Sequence, residues 1–174
     1  DQYQTDLYGW SLPEDMGSDD AKVTVEVFLA AGDPCHVHMV TLAQAIGTID
    51  PERIYVDFKN TREQEGHERS EELKVGCEQG LAVNGKTNFT APKDETQGTG
   101  GKETMYLTAD GHWDEEDLGR ILDAELKAEY DGEGLGIEPA EFKARVQAKQ
   151  RVYDALLEKE VREKQEAERK AKDA

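Results

Sequence analysis

The chain has 174 residues, 34% of them charged and 36% hydrophobic, with a formal net charge of −18. That length suits one domain with an appendage, and the modest apolar share assigns some of it to solvated helix or tail. No apolar run approaches the ~18 residues of a membrane span. So acidic a surface makes nucleic acid and anionic membrane poor partners and cations or a basic protein better ones, unless the acid serves only solubility.

Residues 1–21 carry six acids and no base, with Tyr3, Tyr8, Trp10 and Leu12 interspersed at no regular period. They read as an extended acidic and aromatic arm laid across the domain or reaching for a partner. The sequence starts at Asp1, as a cleaved leader or trimming would leave it. An extracytoplasmic location, periplasm or cell surface, is the expectation. Two cysteines, Cys35 and Cys77, allow one bridge or one redox pair.

Val23, Val25, Val27 and Leu29 alternate with smaller or polar residues, which predicts a strand. Gly32-Asp33-Pro34 breaks it, and from Cys35 the positions Met39, Leu42, Ala43 and Ile46 recur at helical spacing, with Pro34 in the first turn. The helix start carries Cys35, His36 and His38. A cysteine there sits near unpaired N–H groups and the positive end of the helix dipole, which favours thiolate. His36 and His38 point about 200° apart on a helix, so His38, three residues on, is the neighbour expected for Cys35.

Arg53–Phe58 forms a second strand, and a strand–helix–strand unit of this length implies a parallel pair. Residues 60–69 are polar, a loop or ragged helix start, before a short helix from Ser70 to Gly76. Leu81–Lys86 is a strand running into an Asn84-Gly85 turn, with a return strand from residues 87–90. After a loop at 93–102 comes the strand Glu103–Thr108. Asp114 and Asp117 cap a helix with Leu118, Ile121, Leu122 and Leu126 on one face.

Residues 131–137 make a glycine-rich joint, and Pro139 opens a long helix over 138–174. Phe142, Val146, Tyr153, Leu157 and Val161 form its apolar stripe, which packs on this domain or on another chain. Lys149 and Glu160 break any heptad, so a coiled coil is excluded. His67 and His112 have no partners in sequence. Asp131-Gly-Glu-Gly and Asp114–Asp117 lack the EF-hand spacing for calcium, and Asn88-Phe-Thr90 matches a glycosylation sequon.

From Val23 to Tyr130 this order of elements resembles the thioredoxin fold: an α/β sandwich, here with an N-terminal extended arm and a long C-terminal helix. Gly32-Asp-Pro-Cys-His-Val-His38 stands where that family carries Cys-x-x-Cys. Gly76-Cys-Glu-Gln-Gly-Leu-Ala-Val-Asn-Gly-Lys86 is similar to its Gly-x-x-x-x-Pro-Thr-Leu-x-x-Asn-Gly. Two departures stand out: His38 replaces the second cysteine, and Gln79 or Gly80 falls where the family has a cis-proline. The organisation implied is an arm (1–21), a thioredoxin-like domain (22–130), a joint (131–137) and a C-terminal helix (138–174).

The resemblance also implies that Cys77 lies against the start of the active-site helix, facing Cys35. Such a pair is a structural or redox-active disulfide, a soft-metal site with His36 or, as the nearer neighbour, His38 completing Cys₂His ligation of zinc or copper, or two inert thiols. The reading reached is a non-catalytic, thioredoxin-like accessory or assembly subunit, without cofactor, docking on a larger protein through residues 1–21 and 138–174. The alternative is an extracytoplasmic thiol protein using Cys35 and Cys77 for disulfide exchange or soft-metal binding.

Overall fold

Val23–Leu29 forms β1, and only Thr24 of its seven side chains escapes burial. A strand covered on both faces belongs in the middle of a sheet. β2 (Ile54–Asn60) runs parallel to it on one side, with Val25 opposite Val56, and β3 (Gly80–Val83) antiparallel on the other, with Val25 opposite Val83. The three-stranded mixed sheet therefore has the order β2-β1-β3. The computed structural model describes residues 7–75, 79–92, 102–106 and 113–174.

Between β1 and β2 lies α1 (Val37–Ile46), and after β2 comes α2 (Gln64–Glu72). β4 (Asn88–Pro92) and β5 (Lys102–Tyr106) pair as a separate antiparallel ribbon. α3 (Glu115–Glu129) opens on a reciprocal capping box between Asp114 and Asp117, as the acid spacing predicts. α4 (Pro139–Asp173) closes the chain, giving a mixed α/β fold with a long C-terminal helix.

One sheet face carries the main core. Val23, Val25, Val27 and Leu29 meet Val40 and Ala43 of α1, Leu118 and Leu122 of α3, and Phe142 and Val146 of α4. The other face holds a smaller cluster of Phe28, Ala82 and Val75. There Glu26, buried in β1, is gripped by Nε and Nη2 of Arg69 from α2, each at 2.9 Å. Burial of a carboxylate requires such pairing.

Two elements depart from the sequence reading. The helix predicted at Ser70–Gly76 begins earlier, at Gln64, and ends at Glu72. Gly66 looks like a helix breaker, yet it is where α2 passes so close to β2 that any side chain would strike the Asn60 carbonyl. The Asn84-Gly85 turn forms, with φ of +49° and +75° as a type I′ turn requires. Its ladder stops after a single bridge, Val83 to Lys86, and the return strand β4 pairs with β5 instead. Residues 76–78 and 107–112, including Cys77 and His112, lie outside the described residues.

Both appendages pack onto the body. In the arm Leu7 and Trp10 are buried in the core, and Met16 exchanges two backbone hydrogen bonds with Val56 at the outer edge of β2. The stripe of α4 lies along α1 and α3, and Gly119 leaves room for the Phe142 ring. Phe142, Val146, Leu157 and Val161 are buried by this domain itself. Beyond Val161 every residue is exposed, and the helix continues on i,i+4 pairs such as Lys170 with Glu166 at 3.4 Å.

If α4 is integral to the core, Phe142→Ala will cost about 4 kcal/mol in denaturant unfolding and keep a single transition. An unchanged midpoint would mean that the helix is only loosely attached. At the arm, the Tyr55 hydroxyl donates to Asp15 Oδ2 at 2.9 Å. This bond, with some desolvation and the nearby acids, pushes its pKa up from 10.0 to about 12. The folded chain holds the phenol proton more tightly than the unfolded one. The stability from this bond is thus complete below pH 10 and lost between about pH 10 and 12. Ultraviolet titration will show one tyrosine ionising near 12, returning toward 10 in Asp15→Asn.

Candidate functional site

After Leu29 the chain leaves the sheet, turning at Gly32 with φ +83°. Asp33 then caps the next turn, its Oδ1 accepting the Cys35 N–H at 2.9 Å. Pro34–His36 make one 3₁₀ turn before α1 begins at Val37. Cys35 therefore sits in the lead-in turn and not in the α-helix proper.

The three candidate side chains separate there. Cys35 and His38 are exposed, whereas His36 is buried. The divergence of the two histidines matches the angular argument from sequence. His36 Nδ1 accepts the Ala30 N–H at 2.9 Å, which in the neutral ring leaves the proton on Nε2. Nε2 lies 3.9 Å from Asp33 Oδ2. His36 is thus a capping residue for the end of β1. The Cys35 N–H itself is taken by the Asp33 carboxylate.

The loop and the start of α1 are held by the two appendages. From the arm, the Gly9 N–H donates to Gly32 O at 3.2 Å, and Trp10 Nε1 donates to Asp33 O at 2.7 Å. From α4, Gln150 Nε2 stands 3.1 Å from His38 O, 3.2 Å from Thr41 Oγ1 and 3.2 Å from His38 Nδ1. Lys164 of α4 in turn donates to Gly9 O and Ser11 Oγ, at 3.1 and 3.2 Å. Arm, loop and helix form one continuous set of hydrogen bonds.

An exposed thiol with an imidazole at position 38 can be alkylated or form a mixed disulfide. It cannot close the local ring of a Cys-x-x-Cys. Because Cys77 lies outside the described residues, so do the Cys35–Cys77 pair and the Cys35, His38, Cys77 ligand set for zinc or copper. Among the described residues no group of three or more His, Cys, Asp or Glu is arranged to hold a metal ion. His67 pairs with Glu71 at 3.1 Å, and Asn88 is exposed at the start of β4. Asp114 and Asp117 are spent on capping each other's ends of the first turn of α3.

A cavity of about 690 Å³ lies elsewhere, between α3, the glycine-rich joint and the start of α4. Its bases are already paired, Arg120 with Glu116 and Asp117, and Lys127 with Asp123. It offers no unmatched cation to an anionic ligand. Comparison with family models, curated proteins and solved structures returns no match.

Sequence reasoning missed Trp10, Gln150 and Lys164 as supports of this loop. Gln150 carries a readable signal, since a lone amide four residues after Val146 in an apolar stripe needs partners inside. If His36 serves as a cap, His36→Phe will leave the Ala30 N–H without its acceptor and cost about 1–3 kcal/mol. Thermal unfolding with the same midpoint as the parent chain would remove that role.

Proposed function

We propose that this chain is a thioredoxin-like accessory or assembly subunit that docks on a larger protein through its arm and its C-terminal helix, without dithiol catalysis. The central β1, its parallel neighbour β2, its antiparallel neighbour β3 and a cysteine at the entry to α1 support the thioredoxin-like reading. The trans peptide bonds throughout the described residues, Gln79–Gly80 included, and the pairing of β4 with β5 depart from it.

One observation carries the functional reading. The loop where substrate would meet a dithiol is tied to the arm at Gly32 and Asp33, and the first turn of α1 that follows it is tied to α4 by Gln150 at His38. Appendages that hold the loop in this way suit a scaffold better than a site that must open and close on a substrate. The apolar stripe of α4 is consumed inside, so docking falls to what it leaves outside. That is the outward side around Val152 and Leu156, the segment after Val161, and Tyr8 of the arm.

The exposure of Cys35 favours a second reading, disulfide exchange. Its thiolate would attack a substrate disulfide, forming a mixed disulfide and releasing one substrate thiolate. Cys77 would then attack Cys35 Sγ, closing a Cys35–Cys77 bridge and releasing the second.

An insulin-reduction assay with dithiothreitol as electron donor separates the two. The accessory reading expects the wild-type chain to leave the rate at that of dithiothreitol alone. An acceleration that disappears in Cys35→Ser would overturn it in favour of exchange.

A further inference from the structure

Between residues 11–13 of the arm and the outer side of α4 runs a groove of about 220 Å³, lined chiefly by Leu12, Pro13, Gln44, Tyr153, Leu156 and Glu160. Leu156 is 56% exposed, and Val152, one turn before it on the same side, is 55% exposed. They are two of the three large apolar side chains so exposed among the described residues. The groove has room for one large apolar side chain, and Val152 extends its apolar rim.

Charge decides what kind of chain would bring that side chain. The protein carries −18, all of it from residues 1–137, and the arm that walls the groove has six acids and no base, whereas bases and acids nearly balance over 138–174. A second copy, a nucleic acid or an anionic membrane would be repelled from the arm side, and a basic segment attracted. Glu160 is the charged residue of the lining, and it makes no ion pair among the described residues. Lys164 is occupied with Gly9 O and Ser11 Oγ. Lys149, on the same side, stands eleven residues before Glu160, about 16 Å up the helix.

We infer that this groove is the seat for a basic segment of a partner protein, which places one large apolar side chain against Leu12, Tyr153 and Leu156 and a Lys or Arg against Glu160. The inference rests on the accessory-subunit reading and names the chemistry of its partner.

The test uses fluorescence polarisation with the full chain and two labelled peptides sharing the same Leu and Phe positions, one flanked by Lys and Arg, the other by Glu. The basic peptide is expected to bind saturably, and Leu156→Asp to weaken it about tenfold or more. Glu160→Lys should weaken it about threefold at low salt and less at high salt. Both positions face solvent, and circular dichroism checks that the variants fold. Equal binding of the two peptides, no saturable binding, or wild-type affinity in Leu156→Asp would overturn the inference. So would a dimer in sedimentation that Leu156→Asp abolishes, because a second copy would then own the face. Insulin reduction reads the accessory proposal separately: an active chain that still bound the peptide would sink only that proposal, and an inactive chain without peptide binding only this one.

Discussion

The constraint on which everything else rests is the double-sided burial of β1. With both neighbours hydrogen-bonded and both faces covered, this strand requires a layer of helix above and another below. α1, α3 and α4 supply the first and α2 the second. The same enclosure dictates the fate of Glu26. A carboxylate in that position is tolerable because Arg69 reaches in from α2 with two donors and Lys59 of β2 stands 3.9 Å away, so the Arg69 pair and the Gly66 contact together seat α2 on the sheet.

The loop after β1 inherits this rigidity and adds its own. A backbone leaving a buried strand has donors and acceptors to satisfy, and here some are met within the loop and others by the arm and α4. His36 serves Ala30, Asp33 serves Cys35, Trp10 serves Asp33, and Gln150 serves His38. The residues that looked most like chemistry in the sequence are thus divided between support and exposure. His36 supports, whereas Cys35 and His38 face outward.

Local periodicity carried the sequence reading a long way. Alternating valines marked β1, the acid spacing marked the start of α3, and the three-and-four spacing from Phe142 to Val161 marked the inward side of α4. The misplaced start of α2 has a physical origin: Gly66 marks contact with β2 across the fold, information that a local reading cannot contain. The pairing of β4 with β5 is likewise a choice between two partners for one strand, and a strong turn at Asn84-Gly85 does not decide it. The candidate site was legible as residues but not as a network, because its supports lie far from it in the chain, Gln150 being 112 residues from His38.

The last turns of α4 behave unlike the rest of the molecule. Residues 165–173 extend about 14 Å past Lys164, whose ammonium is tied to the arm, and what keeps them helical is a few charge pairs worth tenths of a kcal/mol each. Such a rod has no side chain in the core, so it frays while the domain stays folded. Its helical content is therefore an average, lowered by salt and warmth and restored by anything that grips it.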